Sequence, residues 1–176
     1  YLHKALDYPQ DEWLRFMRWT HRYSPYGPIW LVASVVPSAL GFGKFILTLF
    51  VFKLFIGAFH LINALLIYKT LQKINPKFSN FGTAFYALNP LFLIEGVANS
   101  HNDVVLAFFM LLSIYFVASN KKMKAISVMI IGAFVKYLPL FNIPWLLYSL
   151  FSKKLNIEKM IILNLLTMTA LTYVFS

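Results

Sequence analysis

The chain alternates long apolar stretches with short polar segments that are rich in lysine. A helix that crosses the hydrocarbon core of a bilayer needs about 20 mainly apolar residues. The pattern therefore predicts an all-α fold, a polytopic transmembrane helical bundle. The apolar stretches lie at 44–68, 79–98, 103–119, 124–151 and 157–175.

The fourth stretch, 124–151, is too long for one span. It is interrupted by a charged residue and two helix breakers, Lys136, Pro139 and Pro144. Proline lacks a backbone donor and breaks a helix interior. We therefore expect two arms, 124–136 and 138–151, which form a broken helical hairpin with its corner near Tyr137.

The opening segment differs from the rest in composition. Residues 1–28 are polar and aromatic, which is typical of a membrane interface, and residues 29–40 are apolar but too few to span. We expect residues 1–43 to form a juxtamembrane or re-entrant segment, and 44–176 to form the bundle of a single domain. Since the chain starts at Tyr1 rather than Met and ends at Ser176 inside an apolar run, we also expect spans of a longer protein to be missing at both ends.

Composition supports lipid as the solvent. The 176 residues are 60% hydrophobic and 12% charged, whereas soluble domains carry about 25% charged residues. The net charge of +10 would suggest nucleic acid in a soluble protein, but the basic residues lie in short clusters between apolar stretches, so no nucleic-acid partner is expected. With no cysteine, disulfides and thiolate metal sites are excluded.

The basic clusters also predict orientation, because cytoplasmic loops carry an excess of Lys and Arg. Nine lysines in three loops are placed in the cytoplasm, against four basic residues outside. Residues 1–43, the turn at 98–103 and the corner at Lys136 then face outward, in a multi-pass plasma-membrane protein. The nine are Lys69, Lys73, Lys77, Lys121, Lys122, Lys124, Lys153, Lys154 and Lys159, and the four are Lys4, Arg15, Arg18 and Arg22.

One polar group stands out at the predicted outer face. It comprises Glu95, Asn99, Ser100, His101, Asn102 and Asp103. Ionisable residues at membrane depth are costly and indicate function by default. The alternative is a capping box, in which Ser100 and Asp103 cap the helix that follows. Capping leaves Glu95, Asn99 and His101 unexplained, so a functional site is favoured; no spacing here argues strongly for a metal.

Three further features have a structural alternative. Lys136 could hold a phosphate as a point charge or snorkel to the headgroups. The turn from Arg22 to Trp30 contains two prolines and a glycine, and an aromatic anchor is favoured there over a surface that stacks on a sugar. His60 and Asn63 lie three apart inside the span 44–68, where they could simply bond a neighbouring helix.

Three short motifs, taken in their order along the chain, resemble those of a known family. Asn89–Pro90–Leu91, then Glu95–Gly96 and Ser100–Asp103, resemble the "NP…E…GHND" signature of polytopic GT-C fold glycosyltransferases that use polyprenyl-phosphate sugars, including bacterial and archaeal mannosyltransferase-like proteins. The runs Gly132–Leu140 and Tyr23–Pro28 resemble the family's "GLAxLxKxxPLLLLP" and "YPP" elements. The likeness covers about residues 23–145. Ser100 and Ser24 depart from it, where the family often has Gly and Pro.

The resemblance implies transfer of a mannose-like hexose from a polyprenyl-phosphate donor to a glycan or lipid-linked acceptor at the exoplasmic face. The family's main base is expected in the first outer loop, upstream of Tyr1. Catalytic roles fall to Asp103 and Glu95; Lys136, with Arg18 or Arg22, would hold the phosphate. No cofactor beyond the donor is predicted, and metal dependence stays open. The substrate-binding set is His101, Asn102, Asn99, Lys136, Tyr137, Arg22, Tyr23 and Tyr26.

Two other classes remain open at this point. A lipid or solute transporter, such as a flippase, also uses broken helices with polar tips, but near the bilayer midplane. A non-catalytic membrane scaffold predicts that the stretch from Glu95 to Asp103 lines no cavity.

Overall fold

The computed structural model describes residues 4–10, 14, 20–21, 23 and 26–136. Within these ranges the protein is all-helical, as the apolar pattern predicts. The second arm of the hairpin, 138–151, and the last predicted span, 157–175, lie outside the described residues. The helices are α1 (Pro28–Leu40), α2 (Phe45–Ile74), α3 (Ser79–Ala87), a π-helix (Phe92–Ala98), α4 (Asp103–Ala118) and α5 (Lys122–Ala133), with short 3₁₀ turns at Ala5–Asp7 and Pro76–Phe78.

Helices α1 and α2 form a tight antiparallel hairpin. α1 begins with Pro28, whose fixed φ suits the first helical position. At the other end, a Cβ on Gly41 would collide with the side chain of Thr48, so only glycine lets the two helices approach this closely. Residues 29–40, expected to be part of a juxtamembrane or re-entrant segment, are helical as most of α1. This helix lies along the first turns of α2.

The stretch 79–98, predicted as one span, is two helices. The axes of α3, with its preceding 3₁₀ turn, and of the π-helix differ by 58°. Pro90 lies at the bend and has no N–H to continue the ladder. The side chain of Asn89 accepts a hydrogen bond from the backbone N–H of Leu91, 2.9 Å away, which replaces a helical partner at the break.

Helix α2 is the centre of the packing, since α1, α3 and α4 all contact it, and α5 packs on α4. Its Ile56 forms a buried cluster with Val104 and Val105 at the start of α4. Lys73, near the carboxyl end of α2, lies over the ring of Tyr115 near the carboxyl end of α4. The two helices thus run parallel, with the Lys73 end of the bundle opposite to the end where α4 begins.

By length and composition, α2 is the one described helix that could cross a membrane unaided; α3 and the π-helix would add a second if the bent pair counts as one span. Helices α1 and α4 are apolar but shorter. In the most apolar 18-residue window of α2, 17% is buried. Most of its apolar surface is thus not covered within the part of the chain that the structure describes.

Candidate active site at the start of helix α4

Asp103, the first residue of α4, bridges two basic side chains. Its Oδ1 lies 2.7 Å from Nζ of Lys136, and its Oδ2 lies 3.0 Å from Nδ1 of His101. The Asp103 and His101 side chains are about half exposed, at 48% and 50%, and that of Lys136 is 35% exposed. The structure therefore brings together three predicted site residues, in a cluster that a ligand can reach.

Backbone bonds between α1 and α5 hold Lys136 in place. The N–H of Gly27 donates to the carbonyl of Val135 at 2.9 Å, and that of Ile29 donates to Phe134 at 3.1 Å. A Cβ on Gly27 would collide with the Phe134 carbonyl oxygen. The turn before α1 and the segment after α5, two of the motifs singled out in the sequence, are thus joined through their backbones.

Glu95 lies on the π-helix, and its Oε2 accepts a hydrogen bond from Asn99 Nδ2 at 3.1 Å. The wide π-helix ends where the N–H of His101 donates to the carbonyl of Gly96 at 2.8 Å. Single π-turns occur often at functional sites, because they re-aim side chains within a helix. Here the segment carries Glu95 to the same side of α4 as Asp103.

A cavity of about 290 Å³ opens between the π-helix and α4; we call it the carboxylate cavity. Its walls are largely apolar and aromatic, but they carry both carboxylates and the imidazole. The lining residues are Tyr86, Leu91, Phe92, Glu95, Gly96, His101, Asp103, Val104 and Ala107.

A second cavity, of about 250 Å³, lies between the start of α1 and the turn before α4; we call it the aromatic–amide cavity. It is lined by Tyr26, Trp30, Asn99, Ser100, His101 and Asn102. His101 lines both cavities, so they adjoin at its ring, next to Asp103.

Beneath the site lies a buried polar cluster made by His60, Asn63 and Tyr86. Asn63 is fully buried, and its Nδ2 donates to Tyr86 Oη at 3.1 Å and to the Val104 carbonyl at 2.9 Å. His60 Nε2 lies 3.1 Å from the Ala87 carbonyl, and its ring stacks on Tyr86 at 4.9 Å. His60 and Asn63 thus bond neighbouring helices, which is the structural alternative that the sequence offered for them.

Sequence reasoning missed Tyr86 and Trp30, which line the two cavities. Tyr86 gave no signal, since an isolated tyrosine in an apolar stretch is common. Trp30 belongs to the turn for which the sequence favours an aromatic anchor over a surface that stacks on a sugar, and the structure has it in the wall of the aromatic–amide cavity.

The capping interpretation of Ser100 and Asp103 is wrong. Asn102 is the N-cap residue, and no side chain caps the helix. Ser100 Oγ is buried without a partner among the described residues, and the Asp103 carboxylate is engaged by Lys136 and His101.

The remaining predicted substrate-binding residues have different outcomes. Tyr23 is 54% exposed beneath the ammonium group of Lys4, and it lines neither cavity. Tyr26 and Asn99 line the aromatic–amide cavity. Arg22 and Tyr137 lie outside the described residues.

Comparison with known protein families identifies one match. No curated protein and no solved structure matches the chain significantly. Residues 12–152 match the model of the MptA_B family, described as "Alpha-(1->6)-mannopyranosyltransferase, N-terminal domain". The match includes both cavities and the Asp103 cluster, and it supports a glycosyltransferase role. The chain therefore belongs to this family of mannosyltransferase domains.

Proposed function

We propose that the protein transfers a mannose-like hexose from a polyprenyl-phosphate donor to a hydroxyl group of a glycan or lipid-linked acceptor, at the outer face of the plasma membrane. The observation that carries the proposal is the Asp103 carboxylate, which bonds both Lys136 and His101 at the edge of a cavity. The chain that holds this site belongs to a mannosyltransferase family. In this transfer the bond from the sugar C1 to the phosphate oxygen breaks, a bond from C1 to the acceptor oxygen forms, and the acceptor proton goes to a base.

Lys136 suits the departing phosphate. An ammonium group has three donors, and Asp103 engages one of them. The side chain is one third exposed, so phosphate oxygens can reach the others. Charge-assisted bonds to an oxyanion stabilise the negative charge that develops as the leaving group departs. Asp103 then acts by holding the ammonium group and the His101 ring in position.

Glu95 suits the proton transfer better than Asp103 does. Both oxygens of Asp103 are engaged by basic groups. Glu95 accepts one bond, from the neutral Asn99 amide, and no cation pairs with it among the described residues. A positioned carboxylate within reach of a hydroxyl contributes about 10²–10⁴-fold to such reactions. Within the part of the chain that the structure describes, Glu95 is our candidate base.

The shape of the bundle suits a lipid-borne donor. The site lies beside His60 and Asn63, about 15 residues from the start of α2, or roughly 22 Å along its axis at 1.5 Å per residue. The α1–α2 hairpin extends past the site and exposes large apolar side chains, among them Val32, Phe50 and Leu54. A donor held in the bilayer would reach such a recessed site by moving sideways.

Charge placement supports the orientation. Lys73, Lys121, Lys122 and Lys124 lie at the ends of helices opposite to Asp103. A lysine-rich end is expected in the cytoplasm, which puts the cluster on the outer side. The recessed depth of the site also fits the transporter alternative, but the family that the chain belongs to consists of mannosyltransferase domains, which favours transfer.

The test is transfer of radiolabelled sugar by membranes that carry the complete protein, with polyprenyl-phosphate mannose and polyprenyl-phosphate glucose supplied separately. Asp103→Ala and Lys136→Ala are compared with Lys73→Ala, a matched lysine change at the opposite end. We expect transfer from the mannose donor, lost in the first two variants and kept in the third. Folded protein that transfers from neither donor would overturn the donor class. Full transfer by Asp103→Ala and Lys136→Ala would overturn the residue roles.

A further inference from the structure

The aromatic–amide cavity is chemically unlike its neighbour. None of its six described lining residues is Asp, Glu, Lys or Arg, whereas the carboxylate cavity contains Glu95 and Asp103. Small-molecule sites combine apolar and aromatic walls with a few polar groups that fix orientation. A wall whose described residues carry no formal charge, apart from the imidazole at its edge, suits a neutral, hydroxyl-rich molecule rather than a phosphate.

Asn102 gives an independent sign that a polar ligand belongs here. Its side chain is 4% exposed, yet neither Oδ1 nor Nδ2 has a hydrogen-bond partner among the described residues. Leaving buried polar atoms unpaired is costly, so buried amides are nearly always bonded. Ser100 Oγ, in the same wall, is also buried without a described partner. Two side chains of this wall thus keep three unpaired polar atoms beneath the cavity surface, where a side-chain rotation would bring the Asn102 amide to a ligand.

The aromatic wall supplies the other half of a sugar site. The rings of Tyr26 and Trp30 lie 6.4 Å apart at 61°, so they present surfaces in two directions. A pyranose ring has an apolar face of C–H groups and an edge of hydroxyl groups. Aromatic side chains cover the first and neutral amides bond the second. At about 250 Å³ the cavity is just below the range of drug-sized sites, which suits one ring rather than an oligosaccharide.

We propose that the aromatic–amide cavity is the subsite for a single neutral pyranose, with Trp30 packing on the ring and the amide of Asn102 turning to bond its hydroxyl groups. The inference deepens the proposed function and rests on it. The bound sugar lies next to the reacting groups at His101, the residue that lines both cavities and contacts Asp103. A mannose unit can come from the donor or from the acceptor, and both present the same chemistry to this cavity.

The first test measures binding without turnover. Methyl α-D-mannopyranoside is added to the complete protein in nanodiscs and followed by saturation-transfer NMR, in wild type, Asn102→Leu and Trp30→Phe. Asn75→Leu, the same change at the far end of α2, is the matched control. Leucine has the same number and branching of side-chain heavy atoms as asparagine and leaves no polar atom unpaired. We therefore expect Asn102→Leu to unfold at the same or a higher temperature while mannoside binding weakens at least tenfold.

Three outcomes decide the inference. Binding that weakens in Asn102→Leu and Trp30→Phe but not in Asn75→Leu supports the subsite. Unchanged binding in both cavity variants overturns it. A large loss of thermal stability in Asn102→Leu, with binding by the folded fraction intact, also overturns it, since the amide would then be structural.

Transfer kinetics distinguish the two sources of the sugar. A rise of at least tenfold in the KM for the acceptor in Asn102→Leu places the acceptor sugar in the cavity; a rise in the KM for the donor places the donor sugar there. Mannoside binding that depends on Asn102 in a protein that transfers nothing would keep the subsite and remove the proposed transfer function. The two proposals therefore fail separately.

Discussion

Two polar clusters meet at the first turn of α4, and they differ in charge and exposure. His60, Asn63 and Tyr86 are buried and bond one another or backbone carbonyls, while His60 Nδ1 and Asn63 Oδ1 have no partner among the described residues. Asp103 and Lys136, with His101, are partly exposed and carry ionic bonds. A polar residue in an apolar stretch is thus no sign of function by itself, since buried neutral groups can lock helices together. A charged side chain that a ligand can reach is the better indication of function.

The two clusters are also coupled. Asn63 bonds the carbonyl of Val104, the residue directly after Asp103. The buried cluster therefore supports the turn that carries the exposed one. Substitutions in the exposed cluster should change catalysis with little effect on stability, and substitutions in the buried cluster should do the reverse.

The largest effect is expected from Asp103→Asn. The amide keeps the shape but not the charge that holds Lys136 and His101, so we expect sugar transfer to fall about 100-fold, as for a small displacement of positioned groups. Stability should change by less than about 1 kcal/mol, because exposed ion pairs contribute little. Transfer rates and thermal unfolding of the purified protein check both parts. Full activity in this variant would remove Asp103 from the site.

Asn63→Leu probes the buried cluster. It deletes the two bonds to Tyr86 and Val104 and leaves a buried hydroxyl unpaired, so the free energy of unfolding should fall by about 1–3 kcal/mol. Transfer per folded molecule should fall much less than in Asp103→Asn. Denaturant unfolding and transfer rates normalised to folded protein are the measurements. Unchanged stability with transfer abolished would reverse the comparison and place Asn63 in the reaction.

The sequence predicted much of the exposed cluster and little of the buried one. Glu95, Asp103 and Lys136 stood out because charge is rare in an apolar pattern, and the all-helical class followed from the same pattern. Which charges would meet was not readable, because Asp103 and Lys136 are 33 residues apart. The bond from Asn63 to Val104 spans 41 residues and depends on how α2 and α4 pack.

Local signals also had limits. Pro90 was visible in the stretch 79–98, but the bend there also required Asn89 to supply a replacement bond for Leu91. The spacing of Ser100 and Asp103 fitted a capping box, yet Lys136, 33 residues away, and the neighbouring His101 engage the carboxylate instead. Ser100 has a φ of +53°, whereas an N-cap residue typically adopts an extended conformation.

Gly27→Ala tests how far the exposed cluster depends on its backbone support. The φ of Gly27, −74°, suits any residue, so the effect comes only from the collision of the new methyl with the Phe134 carbonyl. We expect a loss of about 1–3 kcal/mol, as for overpacked sites, together with reduced transfer as Lys136 is displaced. Gly57→Ala is the control, because its Cβ would meet only Val97 at 3.7 Å. Equal stability of the two variants would contradict the tight α1–α5 junction.

The smallest effect, and a gain, is expected from Ser100→Gly. Ser100 has φ of +53°, a left-handed conformation that costs a non-glycine residue roughly 1–2 kcal/mol. The substitution removes this strain together with a buried hydroxyl that has no described partner, while the added freedom of the unfolded chain offsets about 0.5–1 kcal/mol. A net gain of about 1 kcal/mol should appear in thermal unfolding. Ser100→Ala removes the hydroxyl but keeps the strain, so its stability should lie below that of Ser100→Gly. If Ser100→Ala were the more stable of the two, the backbone at the edge of the exposed cluster would not be strained. The shape of that cluster would then depend on side-chain contacts alone, as the shape of the buried cluster does.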